Sequence, residues 1–166
     1  MPYVERPDLA GLVADLASSG VEFIVCGGVA CVLHGVDRTT LDLDIRVPDS
    51  DENFRRLVSV LRRRKMSSRI PEPIDAVCDR NNRSRWIREK GALVWTAQSP
   101  DGLEQVDVFL SYPISWERLK EDASTMQIRG CPVAVSSREH LIQAKRAVVP
   151  PRRKDLRDIE DLEGLP

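Results

Sequence analysis

One short stretch constrains the fold more than any other part of the chain. From Leu41 to Val47, the aliphatic residues Leu41, Leu43, Ile45 and Val47 alternate with Asp42, Asp44 and Arg46. A period of two marks a β-strand, whose successive side chains leave opposite faces. One face of this strand is wholly aliphatic and needs a core. The other carries two carboxylates and a guanidinium. Pro48 ends the strand, since proline has no N–H for the ladder. A sheet covered on one face is therefore required, and other elements must supply the cover.

Those elements read as follows. Pro7 and Asp8 precede Leu9, Leu12, Val13 and Leu16 at helical spacing, ended by Gly20. Val21 to Cys26 is a short apolar run, expected as a strand buried on both faces. Gly27 and Gly28 break it, and Val29 to Leu33 reads as a helix closed near Gly35. Asp49 to Asp51 offer N-caps for a helix through about Arg64. Met66 to Gly91 is the least legible part, with Pro71, Pro73, Asn81, Asn82 and several arginines; some helix is expected around Ile74 to Cys78. Ala92 to Gln98 and Glu104 to Leu110 form an antiparallel hairpin about the turn signal Pro100-Asp101-Gly102. Trp116 to Lys120 gives a helical turn. Met126 to Ile128 and Val133 to Val135 flank a turn at Gly130. Ser136 or Ser137 caps a helix from Arg138 to about Val148, and Pro150-Pro151 separate it from a last helix, Arg152 to Leu162.

The order is helix, strand, helix, strand, helix, hairpin, then helices. It specifies an α/β (α+β) fold, a mixed β-sheet flanked by helices rather than a regular parallel βαβ series. Gly27-Gly28 lacks the G-x-G-x-x-G pattern of dinucleotide-binding domains. The 166 residues suit a single domain, 1–166, with C-terminal helices 137–162 packed on it.

Charge and cysteine usage exclude several function classes. The net charge of -1 gives no whole-molecule attraction for nucleic acid. Local basic clusters remain, at Arg62 to Lys65 with Arg69, at Arg80 to Arg88, and at Arg152 to Arg157. No apolar run approaches the roughly 20 residues of a membrane span. Met1 to Asp8 has acids and prolines where a signal peptide would be basic, then apolar, so a cytoplasmic protein is expected. Cys26, Cys31, Cys78 and Cys131 form no C-x-x-C pair, and His34 and His140 are not spaced with them as zinc ligands. Cys26 reads as a buried free thiol.

The chemistry concentrates on Asp42 and Asp44. Two carboxylates two apart on a strand project from one face and raise each other's pKa. They are either solvated at an exposed edge or neutralised by a divalent cation, for which oxygen ligands suit magnesium or manganese. Gly27-Gly28 lies between a strand and a helix, where the backbone approaches a ligand closely and free N–H groups face a phosphate. Asp107 is a lone acid in the apolar run Val106 to Leu110. If the hairpin lies beside the Asp42 strand, Asp107 reaches the same ion; otherwise it is an outward residue of a half-exposed strand. Arg38 and Thr40 precede the acids and are candidates for phosphate contact, as is Lys145 on its helix. His34, near a helix end, reads as structural.

Phe23-Ile24-Val25-Cys26-Gly27-Gly28 followed by Asp42-Leu43-Asp44-Ile45 resembles the nucleotidyltransferase signature of the DNA polymerase beta superfamily, with Asp107 as its later third carboxylate. Gly27 to Ala30, His34-Gly35, Arg38, Thr40 and the tail Lys154-Asp155-Leu156-Arg157-Asp158 are similar to a branch of small bacterial nucleotidyltransferases that includes abortive-infection-type toxins of toxin–antitoxin pairs. The resemblance implies two Mg2+ or Mn2+ ions held by Asp42, Asp44 and Asp107, and a nucleoside triphosphate such as ATP. Gly27 and Gly28 would hold its β- and γ-phosphates, with Arg38, Thr40 and Lys145 nearby. The acceptor hydroxyl would belong to tRNA or other RNA, a protein or a small molecule, and an antitoxin would be a partner. Many members carry Ser where this chain has Gly28, leaving only backbone donors there. The alternatives are a haloacid-dehalogenase-like phosphatase, disfavoured because Arg38-Thr39-Thr40 rather than a long apolar strand precede the acids, and a non-catalytic nucleotide- or partner-binding protein of the same fold.

Overall fold

A computed structural model describes residues 5–166; the Met1-to-Asp8 leader reading falls partly on residues outside that range. The elements in chain order are α1 (Leu9–Ser18), β1 (Ile24–Cys26), α2 (Gly27–His34), β2 (Asp42–Arg46), α3 (Asp51–Arg63), β3 (Ser67–Ser68), a 3-10 turn (Ile74–Cys78), α4 (Arg80–Lys90), β4 (Val94–Gln98), β5 (Gln105–Phe109), α5 (Trp116–Asp122), β6 (Ser124–Ile128), β7 (Cys131–Val135), α6 (Arg138–Arg146) and α7 (Arg153–Glu163). The strands form one seven-stranded sheet in the order β3-β4-β5-β2-β1-β7-β6. It is mixed: β2 runs parallel to β5 and antiparallel to β1, and β1 runs parallel to β7. The α/β fold with a mixed sheet expected from the sequence is the fold found.

The alternation of β2 sets the two faces. Leu43 and Ile45 are fully buried in the main core with Val106 and Val108 of β5, Trp95 and Ala97 of β4 and Val133 and Val135 of β7. Leu12, Leu16, Phe54, Leu57 and Leu61 from α1 and α3 belong to the same core. On the opposite face, Ile24 and Cys26 of β1 are covered by Ile114 and Leu119 from the loop and helix after β5. The three-residue β1 is buried throughout, as expected of a central strand, though it is shorter than the run Val21 to Cys26. Leu41 lies outside β2 and is 56% exposed, so the aliphatic face begins at Leu43.

Two differences from the sequence reading have local causes. α2 starts at Gly27 itself, with no intervening turn, because Gly27 adopts φ +56, a left-handed conformation that lets the chain pass straight from strand to helix. The helix α4 falls in the stretch the sequence left unread. Its ends are specified by Asp79, which accepts from the Asn81 N–H, and by Gly91 in the left-handed region. Its inward anchor is Arg83, buried, donating to Asp49 at 2.7 Å and Asp51 at 2.9 Å, with its guanidinium 4.2 Å from the Phe54 ring centroid. An apolar periodicity search misses a helix anchored by an arginine. Elsewhere the shifts from the expected bounds are small: Ser50 is the cap of α3, Ser137 the cap of α6, α6 ends at Arg146, and α7 begins at Arg153.

Candidate active site

The sheet register brings the three aspartates to one place. Asp44 lies opposite Asp107 in the β2–β5 pair, and Asp107 lies opposite Thr96 in the β4–β5 pair. Cys26 pairs with Asp44 on the other side. A row therefore crosses the sheet as Thr96, Asp107, Asp44, Cys26. The next row toward the start of β2 holds Asp42 and Gln105. All these side chains are on the face opposite the main core, since their strand neighbours Leu43, Ile45, Val106 and Val108 fill that core.

Burial and mutual repulsion dominate the electrostatics. Burial, then the charges of Asp107 and Asp42, push the Asp44 carboxyl up to about 7. Burial and the charge of Asp107 also raise Asp42. The Asp107 carboxylate is met by two donors. Thr96 donates its hydroxyl to Asp107 at 2.5 Å, and the Gln105 amide donates at 3.2 Å. The Gly28 N–H, one of the donors expected to meet phosphate, opposes the rise at Asp44. Among the described residues no three His, Cys, Asp or Glu side chains converge on a common point at metal-ligand range. The donor set nonetheless fits a hard divalent cation: all oxygen, three negative charges, one face, with repulsion still uncompensated.

The glycine pair is shaped around these groups. A Cβ on Gly27 would stand 2.0 Å from an Asp44 carboxylate oxygen. A Cβ on Gly28 would stand 2.8 Å from the Thr40 hydroxyl and 3.2 Å from the Arg38 guanidinium. Gly27→Ala, which combines that clash with a positive φ, is expected to lower stability by about 1–3 kcal/mol and to displace Asp44, read as a lower Tm together with loss of any metal-induced stabilisation.

The cations expected to meet phosphate are already engaged. Lys145 lies 2.7 Å from Asp158 and 3.7 Å from Asp155. Arg38 lies 2.5 Å from the same Asp158 oxygen, and Arg152 lies 2.5 Å from Asp155. Asp155 and Asp158 are almost wholly buried, on the face of α7 turned toward α6. Lys154 and Asp158, spaced four apart, do not form the helix pair their spacing allows, because Asp158 faces Arg38 and Lys145 instead. Asp158→Asn would leave two cations facing a neutral amide. It is expected to cost about 3 kcal/mol in denaturant unfolding, a loss that Lys154→Met should not reproduce.

Several sequence readings can now be located. Asp42, Asp44, Asp107, Gly27, Gly28, Arg38, Thr40 and Lys145 all line one cleft of about 860 Å³. His34 donates Nε2–H to the Ser136 carbonyl at 2.7 Å, a structural tie. Cys26 is buried and free, and burial pushes its thiol up to about 12. Part of the basic clusters after residue 61 is paired: Arg62 with Asp75, Arg64 with Asp15 and Glu104, and Arg83 with Asp49 and Asp51. Trp86, which lies among these arginines in the sequence, is buried and offers no exposed ring. Sequence reading missed Thr96, Gln105 and the pairing role of Asp155 and Asp158. Only the strand register could have revealed the first two. The burial of α7's acidic face, by contrast, was hinted at by two acids three apart.

The fold is one shared with solved nucleotidyltransferase structures. The chain matches the lincosamide antibiotic adenylyltransferase LnuA, solved with lincomycin bound, at a TM-score of 0.65 and 12% identity over 98% of this chain and 100% of that one. It matches ANT(2")-Ia in complex with adenylyl-2"-tobramycin at 0.55 and 15% identity, covering 93% and 84%. An antigenic nucleotidyltransferase-like protein from Paracoccidioides brasiliensis matches at 0.54 and 18% identity, covering 92% and 72%. No family model matches the sequence, and no curated protein matches it.

Proposed function

We propose that this chain moves a nucleoside monophosphate from a nucleoside triphosphate to a hydroxyl acceptor. The observation that carries the reading is the juxtaposition of Asp44 and Asp107 across neighbouring strands, with Asp42 beside them and the N-terminus of α2 against Asp44. Magnesium or manganese held by Asp42, Asp44 and Asp107 would neutralise triphosphate charge and acidify the acceptor hydroxyl. The protein's own part is positioning. Thr96 and Gln105 hold the Asp107 carboxylate toward the acceptor. The acceptor oxygen forms a new bond to the α-phosphorus, the bond to the bridging oxygen breaks, pyrophosphate leaves, and Asp107 takes the hydroxyl proton. Gly27, Gly28, Arg38, Thr40 and Lys145 form the polar wall against which the phosphates lie. For Arg38 and Lys145, contact means sharing their charge with Asp158.

The structural neighbours named for adenylyl transfer to antibiotics support a small-molecule acceptor over RNA or protein. A place in a toxin–antitoxin pair rests on the sequence resemblance alone. The direct test follows label from α-labelled nucleoside triphosphates, ATP first, with magnesium and with manganese. Metal-dependent transfer of label with release of pyrophosphate is expected. A protein that binds nucleotide but never consumes it would instead be a non-catalytic member of the fold.

A further inference from the structure

A second hollow, of about 150 Å³, adjoins the cleft and shares Val94 with it. It lies at the outer edge of β4. β3 pairs with β4 only at Ala97 and Gln98, and beyond them the Arg69 N–H donates to the Thr96 carbonyl at 2.9 Å. Among the described residues no strand borders β4 past that point, so its edge at Val94 is open. Main-chain groups of a strand alternate sides with a period of two. Since Thr96 turns its carbonyl to this edge, Val94 turns its N–H and C=O there as well. The buried Trp86 and Trp95 back the hollow. Thr96, which also lines it, donates its hydroxyl to Asp107 at 2.5 Å.

The charges around this hollow are of one sign. Arg69 and Lys90 line it, and no acid does. Other cations of the same stretch are committed: Arg62, Arg64, Arg80, Arg83, Arg85 and Arg88 each face a carboxylate, and Arg63 donates to Ser19 and Ser59. Arg69, Lys90 and Lys65 are exposed and have no side-chain hydrogen bond or ion pair among the described residues. A single exposed cation is ordinary. Two that border one hollow, beside an outward main-chain N–H at an open sheet edge, make a seat for an anion.

We propose that this hollow is a second binding site, for a compact anionic group, phosphate or carboxylate, held by Arg69, Lys90 and the Val94 N–H. Its volume is roughly that of five waters at about 30 Å³ each, which admits such a group with a few further atoms but not a nucleotide. The anion arrives either as a free ion or at the end of a larger molecule whose body passes over Val94 into the cleft. The site goes beyond the transfer reading and does not depend on it.

Amide NMR of the full chain in chelator tests this, with inorganic phosphate, acetate, glucose and glucose 6-phosphate as probes at fixed ionic strength. Saturable shifts of the Val94 amide with phosphate or with acetate, and none with glucose, are expected. Arg69→Gln and Lys90→Gln should each weaken the anion about tenfold, whereas Lys65→Gln, at the exposed cation outside the hollow, should not. Glucose 6-phosphate binding more tightly than inorganic phosphate would assign the anion to a larger ligand, and equal or weaker binding would assign a free ion. Anion shifts confined to the Gly27 and Gly28 amides, shifts that never saturate, or equal losses in Lys65→Gln and Arg69→Gln would overturn the proposal. No triphosphate is supplied, so failure of the transfer reading would leave these results unchanged.

Discussion

Asp44→Asn is expected to abolish nucleotidyl transfer, with turnover down about 10³-fold or more. Asp44 is the central carboxylate of the site. It lies opposite Asp107 in the sheet register, two residues from Asp42, and against the first turn of α2. An asparagine keeps the shape but removes one of three negative charges. Loss of metal-held charge stabilisation amounts to several kcal/mol, and each 1.36 kcal/mol is tenfold in rate. Asp107→Asn is expected to differ in kind: if Asp107 serves the acceptor, as the proposed function has it, turnover falls comparably while nucleotide affinity changes little. Steady-state kinetics with a nucleotide titration on both variants checks this. Retained turnover in Asp44→Asn would remove Asp44 from the chemistry.

The same substitution should stabilise the metal-free protein at neutral and higher pH. Folding raises the Asp44 carboxyl from an ordinary value of 3.8 to about 7. The folded state therefore binds this proton more tightly than the unfolded chain. Its contribution to stability is fully present below about pH 4 and is lost as pH rises through about 7. A shift of that size corresponds to about 4 kcal/mol at most between those limits. Asp42 is raised in the same direction and adds to the trend. In chelator, wild type should lose stability relative to Asp44→Asn as pH climbs from about 4 to about 7, and the gap should then stay level. Magnesium or manganese at pH 8 should close the gap for wild type alone. Denaturant melts of both proteins across that pH range, with and without metal, measure it. Parallel pH profiles would mean that the carboxyl titrates normally and that the repulsion inferred here is absent.

How much of this was written in the sequence differs by element. The Leu43–Ile45 alternation against Asp42 and Asp44 specified both strand and face, since strand periodicity is local information. The hairpin around Pro100 to Gly102 was equally local, and it delivered Asp107. What made Asp107 a member of the site was β5 lying beside β2 in parallel register, a long-range pairing that the sequence left open. Thr96 and Gln105 were invisible for the same reason. The occupation of Lys145 and Arg38 by Asp158 was hidden because it joins three segments of the chain. α4 escaped because its buried anchor is a charged residue, Arg83, rather than an apolar stripe. A bound cation would gather the three carboxylates onto one point; in the structure the Asp107 carboxylate accepts from the Thr96 hydroxyl.

That gathering can be counted directly by electron paramagnetic resonance of Mn2+ titrated into the protein with a non-hydrolysable ATP analogue. Wild type is expected to bind two ions per chain tightly, Asp107→Asn one, and Asp44→Asn neither beyond what the nucleotide carries. Equal manganese binding by wild type and Asp44→Asn would contradict the account.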